Sequence, residues 1–444
     1  MIGVPVALRA RSGTVRPVGP AHPATRPLTA PPGFHVMAKP TGAICNLDCR
    51  YCFYLDKESL YPGDRFHMSG EVLESYVRQV VEAQTASVVT IAWQGGEPTL
   101  MGLSFFERAV ELAERAARPG QRIEHTIQTN ATLLTRDWAR FLARHGFLVG
   151  VSIDGPPAYH DLYRVDKRGR PTFARVARGL ELLREHGVAY NILCTVHAGN
   201  AGVPLEVYRF LRDDCGASFI QFIPIVEPIA EPGAAGDAPA VSGRTVSAAE
   251  WGSFLCEVFD EWVVRDVGRV FVQSFDAALA SFAGAPPGIC VFAKTCGDAV
   301  ALEHNGDVYS CDHFVDADHL LGNICDTHLV ELVGSSAQRR FGAAKHDTLP
   351  SYCLECDVLF ACFGECPKNR FATTPSGEAG LNYLCAGYKT FFHHVSGSMR
   401  LMVDLLERRR PPAEIMGIIA STPRNEQCPC GSGRKVKACH GGRR

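Results

Sequence analysis

At 444 residues, with 46% hydrophobic and 21% charged residues, the chain has the make-up of an ordinary globular protein of two or three domains. Its 45 basic and 47 acidic residues leave a formal charge of −2, so nothing global draws it to nucleic acid or an anionic membrane. No apolar run nears a bilayer span, and Arg9 and Arg11 follow the short N-terminal apolar piece where a signal peptide would have them first. Residues 1–33, rich in Pro, Arg, Ala and Gly, read as a flexible leader. From Phe34 onward, strand-like runs at 88–94, 123–130, 147–154, 190–196 and 219–226 alternate with amphipathic helical segments at 69–84, 104–117, 135–146, 172–187 and 204–214. Gly146 and Gly187 stand where helix C-caps belong.

Repeated strand–helix units with apolar strands predict parallel strands covered by helices, about six units between residues 34 and 226 in a domain over 34–246. The fold class is α/β. A full or partial barrel is expected, with its chemistry at the C-terminal strand ends, and a doubly wound open sheet is the alternative. Residues 228–246 read as a Pro/Gly/Ala-rich linker or loop, and a helix is expected near 247–265. A cysteine-dense region over 247–400, a linker over 401–424 and a short cysteine-bearing tail over 425–444 follow.

The eighteen cysteines of a chain without an export signal point to metal in a cytoplasmic protein more than to disulfides. The first group, CNLDCRYC, places Cys45, Cys49 and Cys52 in one short loop with Tyr51 before the last. A closed zinc site takes four protein ligands, as does a complete four-iron cluster, so three thiolates leave one iron position open to a small molecule. QGGEP (94–98) ends the second strand, QTNA (128–131) the third and SIDGP (152–156) the fourth. Taken singly, GGEP reads equally well as a tight turn, and Ser152 and Arg164 as a strand-end hydroxyl and a surface cation. In order and at successive strand ends they form one pattern.

That pattern resembles the radical S-adenosylmethionine superfamily over roughly residues 34–230. The resemblance assigns Cys45, Cys49 and Cys52 to a [4Fe-4S] cluster whose open iron takes S-adenosyl-L-methionine, with Tyr51 beside it. It assigns Gly95, Gly96 and Glu97 to the segment facing the methionyl amino group, Ser152 and Arg164 to the carboxylate and ribose, and the backbone near Ile225 to adenine. The eight thiols Cys290, Cys296, Cys311, Cys353, Cys356, Cys362, Cys366 and Cys385 suit two fully ligated clusters. Two zinc ribbons, or one zinc and one cluster, fit the spacing as well.

Across residues 34–395 the chain resembles, more closely, the anaerobic sulfatase-maturating enzymes with their SPASM-type extension. By that resemblance Cys290, Cys296, Cys311 and Cys366 hold one auxiliary cluster, and Cys353, Cys356, Cys362 and Cys385 hold the other. Asp312 matches the general base. The implied reaction is oxidation of a cysteine or serine in an unfolded sulfatase or peptide to Cα-formylglycine, started by a 5′-deoxyadenosyl radical and fed by a donor such as ferredoxin or flavodoxin. A SPASM maturase crosslinking a ribosomal peptide is the second reading, and a non-catalytic iron–sulfur carrier or adaptor the third. NEQCPCGSGRKVKACH (425–440) resembles the SEC-C module, with Cys428, Cys430, Cys439 and His440 as a closed zinc set and a protein contact as its usual role. Cys194, Cys215, Cys256 and Cys325 fall outside every motif, and Cys194 reads as core.

Overall fold

The computed structural model describes residues 33–229 and 240–440; the expected leader and the middle of the 228–246 loop lie outside them. The first six strands are β1 (His35–Ala38), β2 (Val88–Trp93), β3 (Arg122–Thr129), β4 (Leu148–Ser152), β5 (Ala189–Val196) and β6 (Phe219–Pro224), all parallel and paired in chain order. A short β7 (Phe271–Val272) continues the parallel set beyond β6. Helices α1 (Gly70–Ala83), α2 (Leu103–Ala116), α3 (Arg136–Arg144), α4 (Pro157–Tyr163), α5 (Phe173–Glu185) and α6 (Pro204–Arg209) fill the crossovers, and α7 (Ala248–Arg265) and α8 (Gln273–Phe282) follow. Strands β1–β7 lie in chain order without the reversal of a doubly wound sheet, and among the described residues the sheet ends in edges and does not close, as in a partial barrel.

Local chemistry accounts for the helix boundaries. Ser69 and Thr135 accept a hydrogen bond from the third residue beyond them, Val72 and Trp138, as N-caps do. Ser247 and Glu250 close a full capping box at the head of α7. Gly146 and Gly187 adopt φ of 63° and 65°, the left-handed stop expected of them. The sequence does not foretell helix α4: its seven residues, opening on the second proline of a Pro-Pro pair, are too few for a period to show. The segment expected as one helix over 204–214 is α6 followed by a π-helical turn, Phe210–Asp214.

The strands depart from the continuous apolar pattern expected of buried parallel strands. Val89, Ile91 and Trp93 alternate with half-buried Thr90 and Ala92, and Gln128, Gly150 and Asn191 stand in adjacent register on one face. One face is therefore core. Trp93 lies fully buried there, edge-on to Tyr76, Phe105 and Phe106 at 5.4–5.6 Å. The opposite face is more polar, as the inner wall of a site would be.

The expected boundary at 247 does not divide the sheet. Strand β8 (Ala299–Leu302) lies parallel to β1, from His35 opposite Ala299 to Ala38 opposite Leu302. Antiparallel β9 (Asp307–Tyr309) and β10 (Leu320–Asn323) extend the same sheet to ten strands. The expected linker over 401–424 is also structured. A helix running Cys385–Glu407 carries its first part, and a second helix, Glu414–Ser421, buries Ile415 and Ile419. Those apolar residues sit too few in number between Pro-Pro and Pro423 for the sequence to show an amphipathic period.

Candidate active site

The loop after β1 carries Cys45, Cys49 and Cys52, and each neighbouring strand end braces it. Gly96 donates to the Gly42 carbonyl at 2.8 Å and Glu97 to that of Ile44 at 2.9 Å. A Cβ on Gly96 would come within 2.0 Å of the Ile44 oxygen, and Gly95 holds φ of 108° against Gly42 and Lys39. The close approach these glycines permit is thus to the cysteine loop itself. Glu97 is fully buried and accepts from the Thr99 and Asn130 amides and from the Thr99 and Thr129 hydroxyls, tying β2 to β3. Asn130, in QTNA, donates to Asn46 Oδ1 at 2.9 Å and reaches Cys45 Sγ at 3.6 Å.

Asp154, within SIDGP, organises the next strand ends. Its carboxylate receives the Arg164 Nε at 2.8 Å, the Thr195 amide at 2.9 Å and the Tyr51 hydroxyl. Burial opposes its charge, but the Arg164 guanidinium wins and holds it below the usual carboxylate range. Arg164 also donates to Thr195 Oγ1 at 3.1 Å, so the fork expected to meet a ligand carboxylate is engaged on the chain's own Asp154. Ser152 accepts from Gln128 Nε2 at 2.9 Å on the more open face. Ile225, just past β6, donates to the Val196 carbonyl and accepts from the Val246 amide. All of these stand at the C-terminal edge of the sheet.

Asp312, nearly sealed from solvent, follows Cys311 and meets the end of β1. Its Oδ1 lies 2.7 Å from Lys39 Nζ, and Tyr54 donates to its Oδ2 at 2.9 Å. Lys39 is fully buried, pairs also with Glu303 Oε1 at 3.2 Å, and lies 4.8 Å over the Tyr54 ring. Burial would raise the Asp312 pKa; Lys39 overcomes this and takes it well below the carboxylate range. The resemblance singled out Asp312, and the sequence did not single out Lys39, Tyr54, Asp154 or Glu303. A lysine ending an apolar strand and an aspartate at the next switch of strand to loop are signals the strand-end rule supplies.

The electrostatic neighbours of the remaining thiols run within the two sets that the resemblance implies. Burial and then the neighbouring Cys311 and Cys296 push Cys290 up to about 12, and Cys366 feels Cys311 and Cys290. Burial and then Cys385 and Cys353 push Cys362 up to about 12. Cys353, Cys356, Cys362 and Cys385 line one cavity. Arg370 lies within electrostatic reach of Cys353 in one group and of Cys296 and Cys366 in the other. Lys345, almost fully buried, donates to the Val291 and Cys290 carbonyls. Among the described residues, Cys428, Cys430, Cys439 and His440 form the group gathered within 4.8 Å, the compactness a single ion demands. The other thiol groups are not drawn so tight, as ligands around a multi-iron cluster cannot be. Cys194 is core as expected, Cys215 and Cys256 are buried too, and Cys325 is exposed.

Three thiols on one loop at the mouth of a partial α/β barrel, with two further groups of cysteines beyond it, are the arrangement of a radical SAM enzyme with auxiliary iron–sulfur sites. The Radical SAM superfamily matches residues 40–210, the SPASM iron-sulfur cluster-binding domain 290–357 and the SEC-C motif 424–442. The chain is 48% identical over 392 residues to the serine-type anaerobic sulfatase-maturating enzyme of Bacteroides thetaiotaomicron, covering 86% of this chain and 94% of that one. It is 33% identical to the cysteine-type enzyme of Clostridium perfringens, over 82% and 96%. A solved structure described as native anSMEcpe with bound AdoMet and Cp18Cys peptide matches at TM-score 0.74 and 32% identity, covering 84% of this chain and 100% of that one. Streptococcus suis SuiB shares the fold at TM-score 0.54 and 16% identity. The chain belongs to the anaerobic sulfatase-maturating enzyme family, oxidoreductases whose reaction is formylglycine formation. That membership sets aside the non-catalytic carrier. No helix among the described residues is long and apolar enough to cross a membrane.

Proposed function

We propose that this protein oxidises the β-carbon of a cysteine or serine in an unfolded sulfatase segment to Cα-formylglycine, with Asp312 as the general base. The observation that carries the reading is where Asp312 stands. It is one residue from Cys311 of the first auxiliary group, and Tyr54, two residues past Cys52 of the radical loop, donates to it at 2.9 Å. A substrate side chain reaching this carboxylate lies between the two metal sites.

Cys45, Cys49 and Cys52 fit a three-thiolate cluster, and the groups Cys290, Cys296, Cys311, Cys366 and Cys353, Cys356, Cys362, Cys385 fit two fully ligated ones. When bound, S-adenosylmethionine and these clusters supply hydrogen-atom abstraction at the β-carbon and an acceptor for the second electron. The chain's own part is the proton. Lys39 keeps Asp312 ionised in a site closed to water, and Tyr54 orients its second oxygen. A carboxylate so paired is a weak base at rest. It becomes adequate once loss of the β-hydrogen has acidified the neighbouring thiol or hydroxyl, so deprotonation follows abstraction. The cations Lys345 and Arg370, set among the auxiliary thiols, favour the arrival of an electron there.

Anaerobic reconstitution followed by incubation with a CxPxR peptide, its serine counterpart and a ferredoxin or flavodoxin donor tests this. The cysteine peptide is expected to exchange sulfur for oxygen with loss of two hydrogens, and the serine peptide to lose two hydrogens. S-adenosylmethionine cleavage with both peptides unchanged overturns the substrate assignment.

A further inference from the structure

The C-terminal module takes no part in the chemistry above, yet it is seated closely on the rest of the chain. Its hairpin pairs Gln427 with Lys435 and buries Val436 completely. The His440 ring faces two ways. Its Nδ1 lies 3.2 Å from Cys428 Sγ and 3.4 Å from Cys439 Sγ, while its Nε2 turns to Asp260 Oδ1 of α7 at 3.6 Å. The same Asp260 oxygen meets His394 Nε2, on the helix Cys385–Glu407, at 2.6 Å. A metal-ligating histidine whose second nitrogen meets a carboxylate has its tautomer and ring orientation held, and its basicity raised.

Gly397, in the middle of the Cys385–Glu407 helix, is the second observation. A Cβ there would stand 1.5 Å from the Cys430 carbonyl oxygen. Glycine inside a helix costs about 1 kcal/mol relative to alanine. The cost is met where another backbone must approach, and here that backbone belongs to the metal-binding hairpin.

We propose that the module is an intramolecular brace: a zinc ion held by Cys428, Cys430, Cys439 and His440 is supported by Asp260 of α7, and its loading locks the chain's C-terminal end onto α7 and the Cys385–Glu407 helix. The partner of this SEC-C motif is thus its own chain, at the helix pair whose second member begins with the auxiliary thiol Cys385. The inference rests on reading the tail as a zinc site, and the experiment separates the two.

The full-length, cluster-loaded protein is given zinc, and the metal's release to a chromophoric chelator is timed for the wild type, Asp260→Asn, Gly397→Leu and the double variant. Limited proteolysis over residues 408–427 is followed before and after zinc removal, with iron content and helical circular dichroism as folding controls. Each single variant is expected to weaken zinc retention about 10-fold or more, the double variant no further than either, and zinc removal to open 408–427 to cleavage. Asp260→Asn keeps the wild-type conformational freedom of the helix, so a result from it stands even if Gly397→Leu fails to fold. Zinc held equally by Asp260→Asn and wild type, or equal protease resistance with and without zinc, overturns the brace alone. A tail that retains no zinc overturns both the brace and the zinc reading.

Discussion

The role proposed for Asp312 needs its charged form, and one lysine supplies the reason it is charged. Buried carboxylates lean toward the neutral form, and Lys39 at 2.7 Å reverses that lean. Asp312→Asn keeps the shape and removes the proposed base. Formylglycine formation should fall by roughly 10²–10⁴-fold while S-adenosylmethionine cleavage survives, measured as peptide product against 5′-deoxyadenosine. Lys39→Met leaves Asp312 and Glu303 facing each other without a cation. A loss of about 3–5 kcal/mol is expected from breaking a buried pair on one side, read from denaturant unfolding beside wild type. The aspartate was singled out by the family resemblance, through its place directly after Cys311. The lysine comes from the other end of the chain's core, and its partnership exists only once β1 and β8 lie side by side.

Among the elements, the cysteine loop depends on the strand ends around it more than on its own sequence. The Gly96 backbone sits where any side chain would strike Ile44, and the Gly96 and Glu97 amides hold the loop from the β2 side. Gly96→Ala is therefore expected to displace the loop and lower iron content at the Cys45, Cys49, Cys52 site, seen as a loss of about one cluster's iron with the auxiliary signals retained. The helices with capping residues and clear apolar periods, α1, α3 and α7, were legible to within a residue or two. Helix α4 and the helix Glu414–Ser421 were not, since elements of seven and eight residues give too few turns for a period to register.

For the whole molecule, histidines sealed in the neutral form contribute an acid-sensitive part of stability. His125 is buried and stacked on Phe147 at 4.8 Å, and burial pushes its pKa from 6.5 down to about 4. Between those values the unfolded chain carries a proton that the folded chain refuses. The stability this one group contributes is whole above pH 6.5 and declines as pH falls toward 4, by roughly 3 kcal/mol. His125→Leu should flatten that decline, seen as a smaller difference between denaturation midpoints at pH 6.5 and 4.5 than in wild type, with the clusters' acid sensitivity common to both.

From the sequence alone came the alternation of strands and helices, the placement of motifs at strand ends, and the ligand types, because periodicity and thiol spacing are local properties of the chain. Only the tertiary structure decided that the auxiliary region shares the barrel's sheet, that Arg164 turns onto Asp154, that Lys39 meets Asp312, and that the tail is docked on α7. Arg164 and Asp154 stand ten residues apart, and the other three join segments far apart in sequence, each through one strand pairing or one ion pair. A contact of that kind leaves no mark on the composition or period of either segment, since it is fixed by how the packed elements meet.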